Sequence, residues 1–174
     1  LALDKPRTSA DSDVYLVDLQ ADTPEPVLVT EHEGNVSHGP YGFSADSGAL
    51  IYATTEHGEF NQAWKLDLAT GEKASLVQAD WDVSFVFHSP NGKYQVEGVN
   101  ADARTEVTIR NIAGNDEPIT LPDLPPGDLR NVRFNADESQ LALIVNADNS
   151  PSNVFHIDLQ AATAKPLTQA LSEK

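Results

Sequence analysis

Twelve serines, five histidines and no cysteine set the chemistry open to this 174-residue chain. A serine becomes a nucleophile when a histidine can take its proton and a sharp strand-to-helix elbow, Gly-x-Ser-x-Gly, exposes its Oγ. No such pentapeptide occurs, and there is scarcely a helical pattern on which an elbow could turn. Without sulfur ligands, thiol catalysis, disulfide scaffolds and thiolate-bound metals are excluded. The histidines stand at 32, 38, 57, 88 and 156 with no close pair at ligand spacing on one strand, so neither a metal nor a cofactor is expected. Asn100-Ala101-Asp102, Asn135-Ala136-Asp137 and Asn146-Ala147-Asp148 suggest calcium by composition. They lack the Gly and terminal Glu of a binding loop, however, and read as Asx turns. The chain alone is expected to hydrolyse nothing.

Charge narrows the partners. Eleven Lys and Arg oppose 27 Asp and Glu, a net charge of −16. Such a surface repels phosphates, and the basic residues are scattered singly, so nucleic acid is excluded as a partner. No apolar run approaches the ~20 residues of a spanning helix, so no membrane partner is expected. Leu1 is not an initiator and no basic-then-apolar leader follows it, so the chain reads as a piece of something longer.

The elements that must position any site are short. Ten Gly, eleven Pro and many Asx clusters separate apolar runs of five or six residues, the texture of an all-β chain. Val14–Leu19 and Val154–Leu159 are nearly continuously apolar, which predicts strands covered on both faces. A turn element recurs as Phe43-Ser44-Ala45-Asp46-Ser47-Gly48, Phe87-His88-Ser89-Pro90-Asn91-Gly92 and Phe134-Asn135-Ala136-Asp137-Glu138-Ser139, at spacings of 44 and 47. Strand ends Asp18-Leu19, Asp67-Leu68, Asn111-Ile112 and Asp158-Leu159 recur at 49, 44 and 47. Their Asx side chains are expected to accept hydrogen bonds from the following turn.

A repeat of this length with four short strands is the signature of a β-propeller blade. Inner strand A precedes the Phe turn. Strand B follows it (Ala49–Thr54, Lys93–Val99, Leu141–Val145), C ends in the Asx-Leu pair, and D covers Pro26–Thr30, Ala74–Gln78, Glu117–Leu121 and Lys165–Thr168. The chain is therefore expected to be an all-β propeller fragment of four-stranded antiparallel blades. It would hold about three and three-quarter of them: an incomplete blade (strands B–D) over 1–30, blades over 31–78 and 79–121, and a last blade with the start of a linker over 122–174. Phe43, Phe87 and Phe134 are expected at equivalent buried positions, and Trp64 in the core. Exposed end blades would favour self-association.

Ser89-Pro90-Asn91-Gly92-Lys93 and Leu66-Asp67-Leu68-Ala69-Thr70-Gly71 resemble the propeller repeats shared by TolB-like proteins and the prolyl oligopeptidase family of serine peptidases. Gly58–Trp64, Asp80-Trp81-Asp82-Val83 and Ser150–Phe155 are similar to the acylaminoacyl-peptidase-like bacterial branch, and Pro166–Ser172 to its last propeller segment. The resemblance implies a non-catalytic propeller that gates and orients peptide substrates for an α/β-hydrolase domain of the parent chain. The alternative is a TolB-like scaffold for protein–protein interaction. The reading leans to a periplasmic or secreted location rather than a cytoplasmic one. In the dipeptidyl-peptidase branch a similar Asp-Trp segment precedes a Glu pair that binds the substrate amino terminus. Here Asp82-Val83-Ser84-Phe85 follows without that pair, which argues against dipeptide release. Asp80, Trp81 and Asp82, on a connection at the rim of the channel, are the candidates for facing substrate or hydrolase.

Overall fold

The computed structural model describes residues 1–147 and 150–170; Asp148, in the last of the Asn-Ala-Asp phrases, lies outside them. Among the described residues fourteen strands form four sheets, each taking its strands in chain order. The first holds β1 (Ala2–Thr8), β2 (Asp11–Val17) and β3 (Pro26–Leu28). The second holds β4 (His38–Phe43), β5 (Ala49–Thr54), β6 (Gln62–Asp67) and β7 (Lys73–Val77). The third holds β8 (Asp82–His88), β9 (Tyr94–Ala101) and β10 (Arg104–Asn111). The fourth holds β11 (Asp128–Phe134), β12 (Gln140–Ala147), β13 (Ser150–Asp158) and β14 (Thr163–Pro166). This all-β antiparallel meander is the blade pattern expected from the repeats. The chain divides into two compact units, Leu1–Phe87 and His88–Lys174.

In the first unit, Val14, Leu50, Tyr52 and Leu66 form a buried cluster against which Ala2, Leu16, Val29 and Trp64 pack. Leu50, Ile51 and Tyr52 are buried in succession, so β5 is covered on both faces, as a continuous apolar run requires. Burying each such side chain is worth roughly 1.5–3 kcal/mol. In the second unit the core is built from Val96 and Ile109 and from Val132, Leu141, Leu143 and Ile157.

The Phe turn is one structure built three times. Ser44 Oγ accepts the Ala49 N–H at 2.9 Å, Ser89 Oγ accepts that of Tyr94 at 2.9 Å, and Asn135 Oδ1 accepts that of Gln140 at 2.9 Å. The third residue beyond the bonding side chain is left-handed each time: Ser47 (φ 59°), Gly92 (φ 74°) and Glu138 (φ 57°). Glycine takes that conformation without strain, and it stands in only one of the three copies.

Three expectations are corrected. Phe43, Phe87 and Phe134 do end the inner strands, yet none is fully buried and Phe43 is 36% exposed. Phe134 stacks on Tyr94 at 5.3 Å, and Phe43 has no such stacked ring among the described contacts. Glu117–Leu121 is no strand; a single bridge joins Arg110 to Pro118, with Ile119 N–H donating to Ile109 at 2.8 Å. Pro118 and Pro122 have no N–H to donate and end the ladder there. Asp18, Asp67 and Asp158 accept the turn N–H groups at 2.8–3.0 Å as expected. Asn111 does not: its backbone carbonyl takes Gly114 and Asp116 N–H, and its buried Oδ1 has no partner.

Candidate functional site

The connection from β7 to β8 is stitched to the start of β6 by two side chains. Gln62 Nε2 donates to the carbonyls of Ala79 at 3.2 Å and Trp81 at 3.3 Å, and its Oε1 accepts the Ala79 N–H at 2.7 Å. Asp82 Oδ1 accepts the Asn61 N–H at 2.8 Å, and Val83 N–H donates to the Asn61 carbonyl at 2.8 Å. Tyr41 donates its hydroxyl to the Val83 carbonyl. Burial, with the Asp82 charge second, pushes that phenol well above its usual range.

Trp81 stands outside this clamp, 43% exposed, its ring centroid 5.7 Å from that of Phe60. Beside the pair is a groove of about 450 Å³ lined by His57, Glu59, Phe60, Gln78 and Asp80. Trp64 lies inward, half-buried, with the His57 ring tilted against it at a centroid distance of 4.1 Å. The exposed Trp81 and half-buried Phe60 beside two carboxylates can hold an apolar side chain or a cation. It offers no nucleophile, and among the described residues no three His, Asp or Glu are grouped to hold a metal ion.

The repeat separates scaffold from site. Asp128 opens β11 as Asp82 opens β8, and its Oδ1 accepts the Thr105 N–H, near the start of β10, at 3.2 Å. Arg130 foremost, then that N–H, holds Asp128 below the ordinary carboxylate range. Asp82 is thus one copy of a recurring clamp. The residue before the inner strand differs from copy to copy: Ser37, Trp81 and Gly127 precede β4, β8 and β11. At Gly127 a Cβ would lie 2.5 Å from the Asn146 carbonyl oxygen, so a side chain is barred there. Of the three candidates, Asp82 is tied into the fold, while Asp80 and Trp81 are exposed.

A second constellation escaped the sequence reading. Arg7, Asp11, Asp13, His32 and His38 converge where the chain between β3 and β4 crosses β2. Alternation of Asp11 and Asp13 along β2, which puts both on one face, was the available signal.

No family model and no curated protein matches the chain. Solved structures do. TolB from Acinetobacter baumannii is 20% identical, matching 99% of this chain and 41% of its own with a TM-score of 0.69. A puromycin-hydrolysing peptidase from Mycobacterium tuberculosis is 12% identical over 95% of this chain and 26% of its own, with a TM-score of 0.71. A prolyl endopeptidase is 12% identical over 94% of this chain and 24% of its own, with a TM-score of 0.67. The fold is that of a β-propeller. At such identities the likeness establishes the fold alone, and the chain spans less than half the length of each of these three proteins.

Proposed function

We propose that this chain is the non-catalytic propeller portion of a serine peptidase of the prolyl oligopeptidase kind. Its part is to gate and orient peptides for an α/β-hydrolase domain of the same protein. Blades around an axis leave a narrow channel that admits thin extended peptides, excludes folded proteins and keeps bulk water from the chemistry. The observation that carries the reading is the exposed Trp81, its ring against half-buried Phe60, at a position where the Asp128 copy of the clamp carries Gly127. A rigid exposed aromatic at a rim is the kind of residue that anchors a partner chain.

The second reading is a TolB-like scaffold whose loops dock another protein, favoured by the 99% coverage and 20% identity of the Acinetobacter match. The whole gene product, treated with a fluorescent fluorophosphonate, separates the two. Under the first reading it labels on a serine beyond Lys174, and Trp81→Ala lowers kcat/KM for a long peptide about tenfold while sparing a small acyl-aminoacyl substrate. Absence of labelling selects the scaffold. Self-association belongs to either reading, since Leu3 and Val27 of the first sheet and Leu19 in its β2–β3 turn are exposed. Sedimentation at low and high salt tests it: the −16 charge opposes association, so salt should strengthen it.

A further inference from the structure

β2 presents two carboxylates on one face; the chain between β3 and β4 lays the His32 imidazole against them, and His38, the first residue of β4, stands beside His32. His32 Nε2 lies 3.5 Å from Asp11 Oδ1 and 3.4 Å from Asp13 Oδ1. From β1, Arg7 reaches Asp13 Oδ2 at 2.5 Å and Asp11 Oδ1 at 3.9 Å. The His32 and His38 rings are 5.1 Å apart. The side chains of Asp13 and His32 are 0% and 1% exposed, and His38 as a whole is 2% exposed. Both ring nitrogens of each histidine are buried without a well-formed hydrogen bond.

The backbone of the same segment is hooked to β2 residue by residue. Val14 N–H donates to Thr30 Oγ1 at 2.7 Å, and Ser12 N–H to the Val36 carbonyl at 3.0 Å. Ser12 Oγ accepts the His38 N–H at 2.9 Å and donates to the His38 carbonyl at 2.6 Å. Side chains and backbone therefore close together or open together.

We propose that Arg7, Asp11, Asp13, His32 and His38 form a proton-operated clasp, which closes the chain between β3 and β4 onto β2 at neutral pH and releases it in acid. The charges set the direction. One guanidinium against two carboxylates leaves one negative charge, so a single imidazolium in the pair balances the cluster. A second leaves an unbalanced positive charge in a region closed to water, which is strongly disfavoured. Around His38 stand His32 from the connection, Glu56 after β5, Lys73 on β7, Asp13 on β2 and the Tyr52 ring on β5. Burial foremost, then His32, holds His38 down to about 4 against the opposing pull of Glu56 and Asp13. In acid the proton is accepted only if the ring reaches water, and His38 is the residue whose backbone Ser12 hooks.

Hydrogen exchange of the intact chain at pH 7 and pH 4, with exchange times scaled for the intrinsic rate, tests the clasp. Protection of residues 29–38 is expected to fall on the order of 100-fold in acid, while β9–β10 stay protected. In His38→Gln, which carries no titrating ring, the fall should shrink to a few-fold. An equal fall in His38→Gln would assign the opening to Asp11 and Asp13 and overturn the clasp, as would constant protection in the unsubstituted chain. Should the variant not fold, an NMR titration of the unsubstituted imidazoles decides. His38 must titrate near 4 together with the amides of 30–37; titration near 6.5 without those amides refutes the proposal.

Discussion

The connections entering β4 and β8 occupy the same place in consecutive repeats of one unit, and they are built in opposite ways. At β4, the preceding sheet supplies Asp11, Ser12 and Asp13 and the incoming chain supplies His32 and His38, with Asp13 and both imidazoles closed off from water. At β8, the incoming strand supplies Asp82, the preceding β6 supplies Gln62, and two aromatic rings are left outside. Both solve one problem, which is to satisfy backbone groups where the chain passes from one sheet to the next. The first solution buries charge and becomes sensitive to protons. The second uses neutral or half-exposed groups and leaves the neighbouring Trp81 exposed.

The largest expected difference comes from removing one carboxylate at each connection. Asp13→Ala leaves Arg7 and His32 without their buried partner and should cost about 3 kcal/mol in urea unfolding. Asp82→Ala loses one hydrogen bond to a partly exposed amide and should cost about 1 kcal/mol. Both tryptophans belong to the first unit, so their fluorescence reports it alone. Equal costs would break the comparison.

Acid should separate the connections nearly as far. His38 is depressed from 6.5 to about 4, so the unfolded chain takes its proton first. Stability of the first unit then falls as pH drops below 6.5, levelling near 4 after a loss of about 2–3 kcal/mol. Asp128, the carboxylate clamp of the second unit, is also depressed, but its contribution is present above the ordinary carboxylate value of 3.8 and is lost only as pH falls below it. Between pH 6.5 and 4.5 the fluorescence-detected transition should weaken, while amide exchange of β9 and β10 holds. The smallest effect is expected at Trp81. Trp81→Ala should change stability by no more than about 0.5 kcal/mol, because the ring is exposed and the clamp uses only its carbonyl. A larger loss in calorimetry would make Trp81 part of the scaffold after all.

Much of the fold was legible because it is local and repeated. Ala49–Thr54 was read as a strand and is β5, and the Asx side chains of Asp18, Asp67 and Asp158 cap their turns. The strand expected at Glu117–Leu121 failed because its prolines were weighed as punctuation rather than as missing donors. The candidate site was legible in part. Asp80, Trp81 and Asp82 do lie at the entry to an inner strand, but the difference among them rests on the partners of Asp82 and the exposure of Trp81. The five histidines were judged by their spacing along single strands, and His32 and His38 meet Asp11 and Asp13 only across strands.

The sequence by itself determined the all-β class, the turn chemistry, the blade period and the absence of a serine elbow, since each depends on residues within a few positions of one another or on a repeat that shows itself. Only the tertiary structure decided which polar side chains are buried and which aromatics are left in solvent. Burial depends on what a neighbouring sheet places opposite a residue, and a strand's own alternation says which face a side chain takes but not whether that face is covered. Asp13 on β2 and Asp80 ahead of β8 are both acidic, and contact with Arg7 and with the incoming His32 makes one a charge closed off from water while the other stands at the rim of a groove.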